Sequence, residues 1–344
     1  MHRNKLFKRI ALLATFVLSV SAAVIYFTFD IRALDYLTMF SSWSVLCALG
    51  SLAIGLFFDG TRLLTLARIT GEDLPLSDVT KVVLSNYFLA LLTPGASGGA
   101  IAQVMFMRRA GVPVARSTLI ILVRTIMSIF FLIIMLPIFM EQDDAITSWI
   151  PMPVIMTVSV IFIAIPVTAI ILMHTDYPER IIYYFSQHFK HERRRQAFRW
   201  YHDFRQAVYI MGKQPVMVLR AFIESGVSLT FIYLTVPCYF MGLQFPFDLV
   251  QVLGRMYLLN LVLYFSPTPG GSGIAEAGFL VLFAQLVPSG TVGILAVLWR
   301  FTTEYLPFLL GACVTLRAFG SNVLTIAEKN TSTEYKADEK GSGE

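Results

Sequence analysis

Long apolar runs separated by short polar segments make up most of this 344-residue chain. A run of about 20 apolar residues is long enough to cross a bilayer as an α-helix. Six runs suit this role, at residues 10–29, 36–58, 118–140, 145–175, 215–240 and 291–316. The strands of membrane β-barrels instead alternate in polarity over about ten residues. The pattern therefore predicts an all-α polytopic membrane protein with about six full spans.

Two further apolar stretches contain a break that is rich in proline and glycine. Residues 82–107 are interrupted at 93–99, and residues 256–287 are interrupted at 267–273. Each half of each stretch has roughly 10–17 residues, which is too short to cross a bilayer. We expect each stretch to form a re-entrant hairpin of two half-helices, as in transporters built from broken helices.

The two breaks also mark an internal repeat. TPGASG from Thr93 and TPGGSG from Thr268 match at five of six positions. An asparagine precedes each break, and an arginine follows each break inside the next apolar run. These landmarks predict two repeats, at about residues 36–140 and 215–318, in inverted topology. Such a fold supports alternating access around a site at the membrane midplane.

Composition and charge exclude a soluble domain and predict the orientation. Hydrophobic residues make up 56% of the chain and charged residues only 14%, whereas soluble domains carry about 25% charged residues. With a cytoplasmic N-terminus, 23 of the 27 Lys and Arg lie on the cytoplasmic side, as the positive-inside rule requires. This arrangement predicts one transmembrane domain over 1–320, with a basic cytoplasmic loop at 174–214. A disordered cytoplasmic tail would follow at 321–344. The first hairpin would enter from the cytoplasm and the second from outside.

The net charge of +5 is explained by this bias, so we expect no nucleic acid partner. Ser21, Ala22 and Ala23 leave open that the first run is a cleaved signal peptide, although we favour a retained span.

The candidate site consists of residues of the two breaks and of ionisable residues within the apolar runs. A half-helix that starts at a break points free N–H groups and a positive dipole end at its tip, which suits an anion such as phosphate. Ionisable residues within a membrane are functional candidates because burying charge is costly. Candidate substrate-binding residues are Asn86, Pro94, Gly95, Ser97, Gly98, Arg124, Arg255, Asn260, Pro269, Gly270, Gly271, Ser272, Gly273, Glu276, Arg300 and Glu304.

Several charged residues have competing interpretations. Arg124 and Arg300 are candidates for holding a lipid phosphate by a bidentate fork or for a structural pair. Glu276 stabilises a helix N-terminus or accepts the guanidinium of Arg300 or Arg255. Glu304 lies one turn after Arg300 and is placed to neutralise it. Two further charged pairs are expected at the ends of their runs: Asp59 with Arg62 at the membrane interface, and Arg220 with Glu224 as a local pair.

Motifs for soluble chemistry are missing from the sequence. HExxH and P-loop patterns are absent, as is a Cys/His cluster. We therefore expect no catalytic residues, no metal site and no cofactor.

The motifs resemble those of a known family. TPGASGG at 93–99, SPTPGGSGIAEAG at 266–278, and the arginines at 124 and 300 are similar to the flippase-like membrane domain of lysylphosphatidylglycerol synthases. The resemblance covers roughly residues 9–318. It implies a protein of a bacterial or archaeal cell membrane that moves or presents an anionic phospholipid, an aminoacylated lipid or a polyprenyl-linked lipid.

The resemblance also bears on enzyme activity. In the synthases, a separate soluble C-terminal domain carries out the lysyl transfer. About 28 residues follow the last predicted span here, so we expect that domain and its activity to be absent. Two alternatives to translocation remain. In the first, the protein is a membrane component of lysylphosphatidylglycerol synthesis or the partner of a lipid-modifying transferase. In the second, it transports a small anion.

Overall fold

The computed structural model describes residues 41–318, except 94, 96, 142, 245, 289 and most of 174–208. The predicted first span at 10–29, most of the basic loop and the tail at 321–344 lie outside the described residues. The helices are α1 Ser42–Ile69, α2 Leu76–Leu92, α3 Ser97–Arg109, α4 Val114–Met140, α5 Asp144–Thr147, α6 Met152–Met173, α7 Pro215–Tyr233, α8 Thr235–Gly242, α9 Leu249–Tyr264, α10 Ile274–Phe283 and α11 Thr291–Arg300. A π-helical turn, Phe301–Tyr305, continues α11 into a helix that ends at Ala318.

Four of these helices are long and apolar enough to cross a membrane. They are Ser42–Ile69, Val114–Met140, Pro215–Gly242 (α7 with α8) and Thr291–Ala318. Each overlaps one of the predicted spans, and α6 lies in a fifth. The prediction of an all-helical, multi-pass membrane protein is confirmed, while the total of six spans stays a prediction.

Both broken stretches divide into two helices at the predicted positions. The first break separates α2 from α3, and the second separates α9 from α10. Gly95 and Gly270 have φ values of +62° and +56°, a left-handed backbone that glycine adopts without steric cost. Whether the two hairpins re-enter the side from which they came stays a prediction.

The order of elements is the same before and after α6. A long helix, two short helices and a second long helix occur as α1 to α4 and again as α7–α8 to α11. We call α1–α5 the N-terminal half and α7–α11 with its continuation the C-terminal half. Their inverted relationship stays a prediction, but the repeated order agrees with the repeat seen in the sequence.

The two halves meet closely between α1 and α7. Ser51 Oγ donates to the carbonyl of Phe231 at 2.6 Å, and Ser228 Oγ donates to the carbonyl of Gly55 at 2.8 Å. A Cβ atom on Gly55 would lie 2.6 Å from Ile232 Cγ1. Small residues therefore allow the two backbones to approach, as is typical of helix packing in membranes.

Two hydrophobic cores flank a polar centre. Along α1, Ala48 belongs to one core, whereas Leu63, Leu66, Ala67 and Ile69 belong to the other. Asp59 and Arg62 lie between these positions and are buried. The packing thus places charged side chains where the two cores meet.

Candidate functional site

A cavity of about 400 Å³ lies between the two broken stretches. Nine of the sixteen candidate residues line it: Asn86, Gly95, Ser97, Arg124, Asn260, Gly270, Gly271, Arg300 and Glu304. Both halves of the chain contribute, since the first four precede α6 and the other five follow it. The fold therefore brings together the asparagines, breaks and arginines that the repeat made equivalent in sequence.

Arg124 is fixed on the wall of this cavity by a bidentate ion pair. Its Nε donates to Asp59 Oδ1 at 3.2 Å, and its Nη2 donates to Asp59 Oδ2. Its Nη1 donates to Gln103 Oε1, and Asn86 Oδ1 accepts from Gln103 Nε2 at 2.7 Å. A continuous polar network thus joins α1, α2, α3 and α4 in the middle of the N-terminal half.

A second arginine shares the same carboxylate. Arg62 Nη2 donates to Asp59 Oδ1, and Arg62 Nη1 donates to Ser128 Oγ at 2.7 Å and Ser225 Oγ at 2.6 Å. The Arg62 Nε is buried and has no hydrogen-bond partner among the described residues. We call Asp59, Arg62 and Arg124 the Asp59 cluster.

Asp59 and Arg62, which we expected near the membrane interface, are buried inside the protein. They are only 3% and 4% exposed. Apolar residues continue beyond them, including Leu63 and Leu66, so α1 extends to Ile69 instead of ending near residue 58. The helix therefore carries both charges into the protein interior.

Charge counting distinguishes the Asp59 cluster from an ordinary ion pair. Two guanidinium groups share one carboxylate, which leaves one excess positive charge among buried side chains. Buried charge is costly unless it is paired and hydrogen-bonded. All three residues line the cavity, as do Arg300 and Glu304, so an anion that enters the cavity would meet the excess positive charge of the cluster and also the Glu304 carboxylate.

In the C-terminal half, Arg300 is paired differently. Its Nε donates to Glu276 Oε1 at 3.2 Å, and its Nη2 donates to the carbonyl of Gly270 at 2.8 Å. Glu304 Oε1 lies 4.0 Å from Arg300 Nη1. Of the two partners considered for Glu276, the structure therefore selects Arg300.

The two half-helix N-termini also differ. Glu276 Oε2 accepts the N–H of Gly273 at 2.7 Å, so a carboxylate of the protein itself occupies the start of α10. At the start of α3, the N–H of Gly98 donates to Thr93 Oγ1 at 2.8 Å. Gly95 and Ser97 line the cavity, so the start of α3 lies on the cavity wall. The Asp59 cluster, which has two arginines and one carboxylate, lines the same cavity.

Arg255 is a predicted site residue that the fold places elsewhere. Its Nε and Nη2 donate to the two Asp143 oxygens at 2.6 and 2.9 Å, and its Nη1 donates to the carbonyl of Leu282. Burial alone would raise the pKa of the Asp143 carboxyl, but the hydrogen bonds and charge of Arg255 outweigh it and lower that pKa. This pair joins the loop after α4 to α9 and does not line the cavity.

Other candidates lie behind the cavity wall. Gly98, Pro269, Ser272, Gly273 and Glu276 are not among the lining residues, and Pro94 lies outside the described residues. The expected Arg220–Glu224 pair forms at 3.0 Å.

Sequence reasoning missed part of the site. Asp59, Arg62, Gln103 and Ser128 line the cavity but were not candidates. The available signal was the spacing of Asp59 and Arg62, three residues apart on one helical face, with the apolar pattern continuing on both sides. Nothing local to Gln103 indicates its contact with Arg124.

Comparison with known proteins agrees with this architecture. Residues 12–311 match the family described as the lysylphosphatidylglycerol synthase TM region. One relative, described as a UPF0104 membrane protein of Archaeoglobus fulgidus, is 22% identical over 264 residues, which cover 73% of this chain and 79% of the relative. With a match over most of its length, the chain belongs to the lysylphosphatidylglycerol synthase transmembrane-region family.

Proposed function

We propose that this protein moves the phosphate-bearing headgroup of a membrane lipid between leaflets through the central cavity. The observation that carries the proposal is the Asp59 cluster, in which two buried arginines share one carboxylate on the wall of the central cavity. Guanidinium groups bind phosphate through several N–H donors at once. Anionic, aminoacylated and polyprenyl-linked lipids all carry such a phosphate.

The size of the cavity supports headgroup binding. A volume of about 400 Å³ lies within the range of small-ligand sites but is far too small for a whole diacyl lipid. The acyl chains therefore stay in the bilayer while the headgroup occupies the central cavity. In this mechanism the phosphate offsets the excess charge of the cluster.

The position of the cavity suggests how the headgroup crosses. Its wall contains residues of both breaks, one in each half of the chain. Movement of one half against the other would change which side of the membrane the cavity faces, as in alternating access. The close α1–α7 contact at Gly55 and Ser228 is the surface along which the halves would slide.

Transport can be measured in reconstituted vesicles with a phospholipid labelled on its headgroup. A membrane-impermeant quencher reports the label that remains in the outer leaflet. We expect Arg62→Gln and Arg124→Gln to slow labelled-lipid transfer by about tenfold or more, since a charged hydrogen bond contributes roughly 1.5–3 kcal/mol and 1.4 kcal/mol corresponds to tenfold. Arg116→Gln is the matched control, because Arg116 is 52% exposed and pairs with Glu72 at the surface.

Folding has to be separated from transport in this assay. Each variant is first compared with the wild type by size-exclusion chromatography and thermal unfolding, and Arg62→Lys provides a variant that retains the charge. If well-folded Arg62→Gln and Arg124→Gln protein transferred lipid at the wild-type rate, the proposed mechanism would be wrong.

A second candidate function rests on the name of the family, which describes the membrane region of a lipid-modifying synthase. In that role the cavity would present a lipid to a transferase without moving it. Lipid binding that requires Arg62, together with vesicle transfer no faster than in protein-free vesicles, would favour presentation over translocation.

A further inference from the structure

A second cavity, of about 490 Å³, lies where three helix ends meet. It is formed by the first turns of α2, the last turn of α3 and the end of the helix that continues α11. The lining residues are Asp78, Lys81, Phe106, Arg109, Ala110, Val314, Arg317 and Ala318. None of them lines the central cavity, so this is a separate pocket, which we call the helix-end pocket.

The helix-end pocket carries more cationic than anionic side chains. Lys81 Nζ pairs with Asp78 Oδ1 at 2.7 Å, which neutralises the one carboxylate on the wall. Arg109 Nη1 donates to the carbonyl of Ala318 and so connects the end of α3 to the end of the last helix. Arg317 makes no hydrogen bond or ion pair with a described residue. Among the described residues, Arg317 therefore contributes an unpaired positive charge to the pocket.

Helix dipoles explain only part of this arrangement. Cations are favourable in the last turn of a helix, which accounts for Arg109 on α3. Lys81 lies in the second turn of α2, where the dipole gives a cation no advantage. Three helices of both halves thus direct cationic residues to the same pocket.

The remaining wall is apolar. Phe106 is buried, and Ala110, Val314 and Ala318 complete the floor. A soluble phosphate would gain nothing from these groups. An anionic phospholipid would use both parts, because its phosphate faces the cations while its glycerol and first acyl carbons contact the floor. Basic pockets between membrane helices bind such headgroups.

We propose that the helix-end pocket binds the phosphate of an anionic phospholipid that remains in place and is not the transported lipid. Arg317 and Lys81 contact the phosphate, and Arg109 holds the two helix ends together beneath it. The bound lipid bridges α2 and α3 of the N-terminal half to the last helix of the C-terminal half.

The proposal can be tested by titrating lipid into the purified protein in neutral detergent. Native mass spectrometry measures binding, and thermal unfolding measures the unfolding temperature. The additives are phosphatidylglycerol, phosphatidylcholine and soluble glycerol phosphate. We expect phosphatidylglycerol to bind and to raise the unfolding temperature, and the other two additives to leave it unchanged. Because each cation near an anionic lipid contributes about 1 kcal/mol, Arg317→Gln should weaken binding about fivefold, and Lys81→Gln with Arg317→Gln roughly 25-fold.

Arg108→Gln is the matched control, because Arg108 is an exposed neighbour of Arg109 that does not line the pocket. Wild-type affinity in Arg317→Gln, or an equal loss in Arg108→Gln, would overturn the proposal. An equal response to glycerol phosphate would identify a soluble anion as the ligand and overturn the assignment to lipid. Arg62→Gln should retain the part of the phosphatidylglycerol effect that Arg317→Gln removes, and this separates the pocket from the proposed transport site.

Discussion

Replacing Asp59 by asparagine tests whether the charges of the central cavity are organised as the structure indicates. The carboxylate accepts from Arg124 through both oxygens and from Arg62 through Oδ1. The substituted amide would keep one acceptor oxygen but lose the negative charge. The two guanidinium groups would then remain buried with no partner of opposite charge in the cluster.

The expected cost follows from the burial of the cluster. Asp59, Arg62 and Arg124 are each less than 10% exposed, and removal of one partner from a buried ion pair costs about 3–5 kcal/mol. We therefore expect Asp59→Asn to lower the free energy of unfolding by at least about 3 kcal/mol. Combining it with Arg124→Gln returns the cluster to a single excess charge. Residues in one network are coupled, so the double variant should be more stable than Asp59→Asn by about 1 kcal/mol or more.

The free energy of unfolding can be measured by titrating the protein in mixed micelles with a denaturing detergent. Asp78→Asn is the matched control, since Asp78 also pairs with a cation three residues later but is 28% exposed. Exposed pairs contribute about 0–1 kcal/mol, so this variant should unfold nearly as the wild type does. Wild-type stability in Asp59→Asn, or a double variant less stable than Asp59→Asn, would refute the reasoning about excess charge.

Three further predictions concern packing and the second buried ion pair. Gly311→Ala should lower the free energy of unfolding by about 2–3 kcal/mol, because its Cβ would overlap the backbone carbonyl of Leu84; a wild-type unfolding curve would contradict this. Gly50→Ala should be neutral or stabilising by up to about 1 kcal/mol, since no atom lies within 4 Å of the added methyl, and a loss of stability would show an unseen contact. Asp143 has a lowered pKa in the folded protein, so its contribution is complete above its unfolded pKa of about 3.9 and is lost as the pH falls through the folded value. Unfolding measured between neutral and acidic pH should show this loss in the wild type and a smaller loss in Asp143→Asn, and equal pH profiles would contradict the Asp143–Arg255 assignment.

The sequence predicts the helices well because their signals are local. Length and apolarity locate the four long spans, and proline with glycine locates both breaks, since these residues act on the backbone within a few positions. The matching positions of Arg124 and Arg300 after their breaks also come from a local pattern. The structure places both arginines on one cavity wall.

The partners of these arginines are less accessible to sequence reasoning. Asp59 is 65 residues from Arg124 in the chain, so no local spacing connects them. The second predicted run also ends near residue 58 because the charged residues Asp59 and Arg62 follow. The apolar pattern resumes at Leu63, however, and α1 continues to Ile69. For Glu276, the helix N-terminus and the arginine were competing interpretations, and the structure shows that its two oxygens serve both.

The location of the buried ion pairs has a consequence for any relative movement of the two halves. Asp59 with Arg124 and Glu276 with Arg300 each join residues of the same half, so these pairs can travel as intact units. Asp143 with Arg255 joins the two halves instead. A rearrangement that separates the halves at this end would leave two charges unpaired inside the protein, which costs several kcal/mol. The α1–α7 contact also resists separation, because Arg62 donates to Ser225 and Thr65 donates to Glu224 there, and hydrogen bonds to charged groups contribute roughly 1.5–3 kcal/mol each. Any movement of the halves therefore has to replace the partners at both contacts.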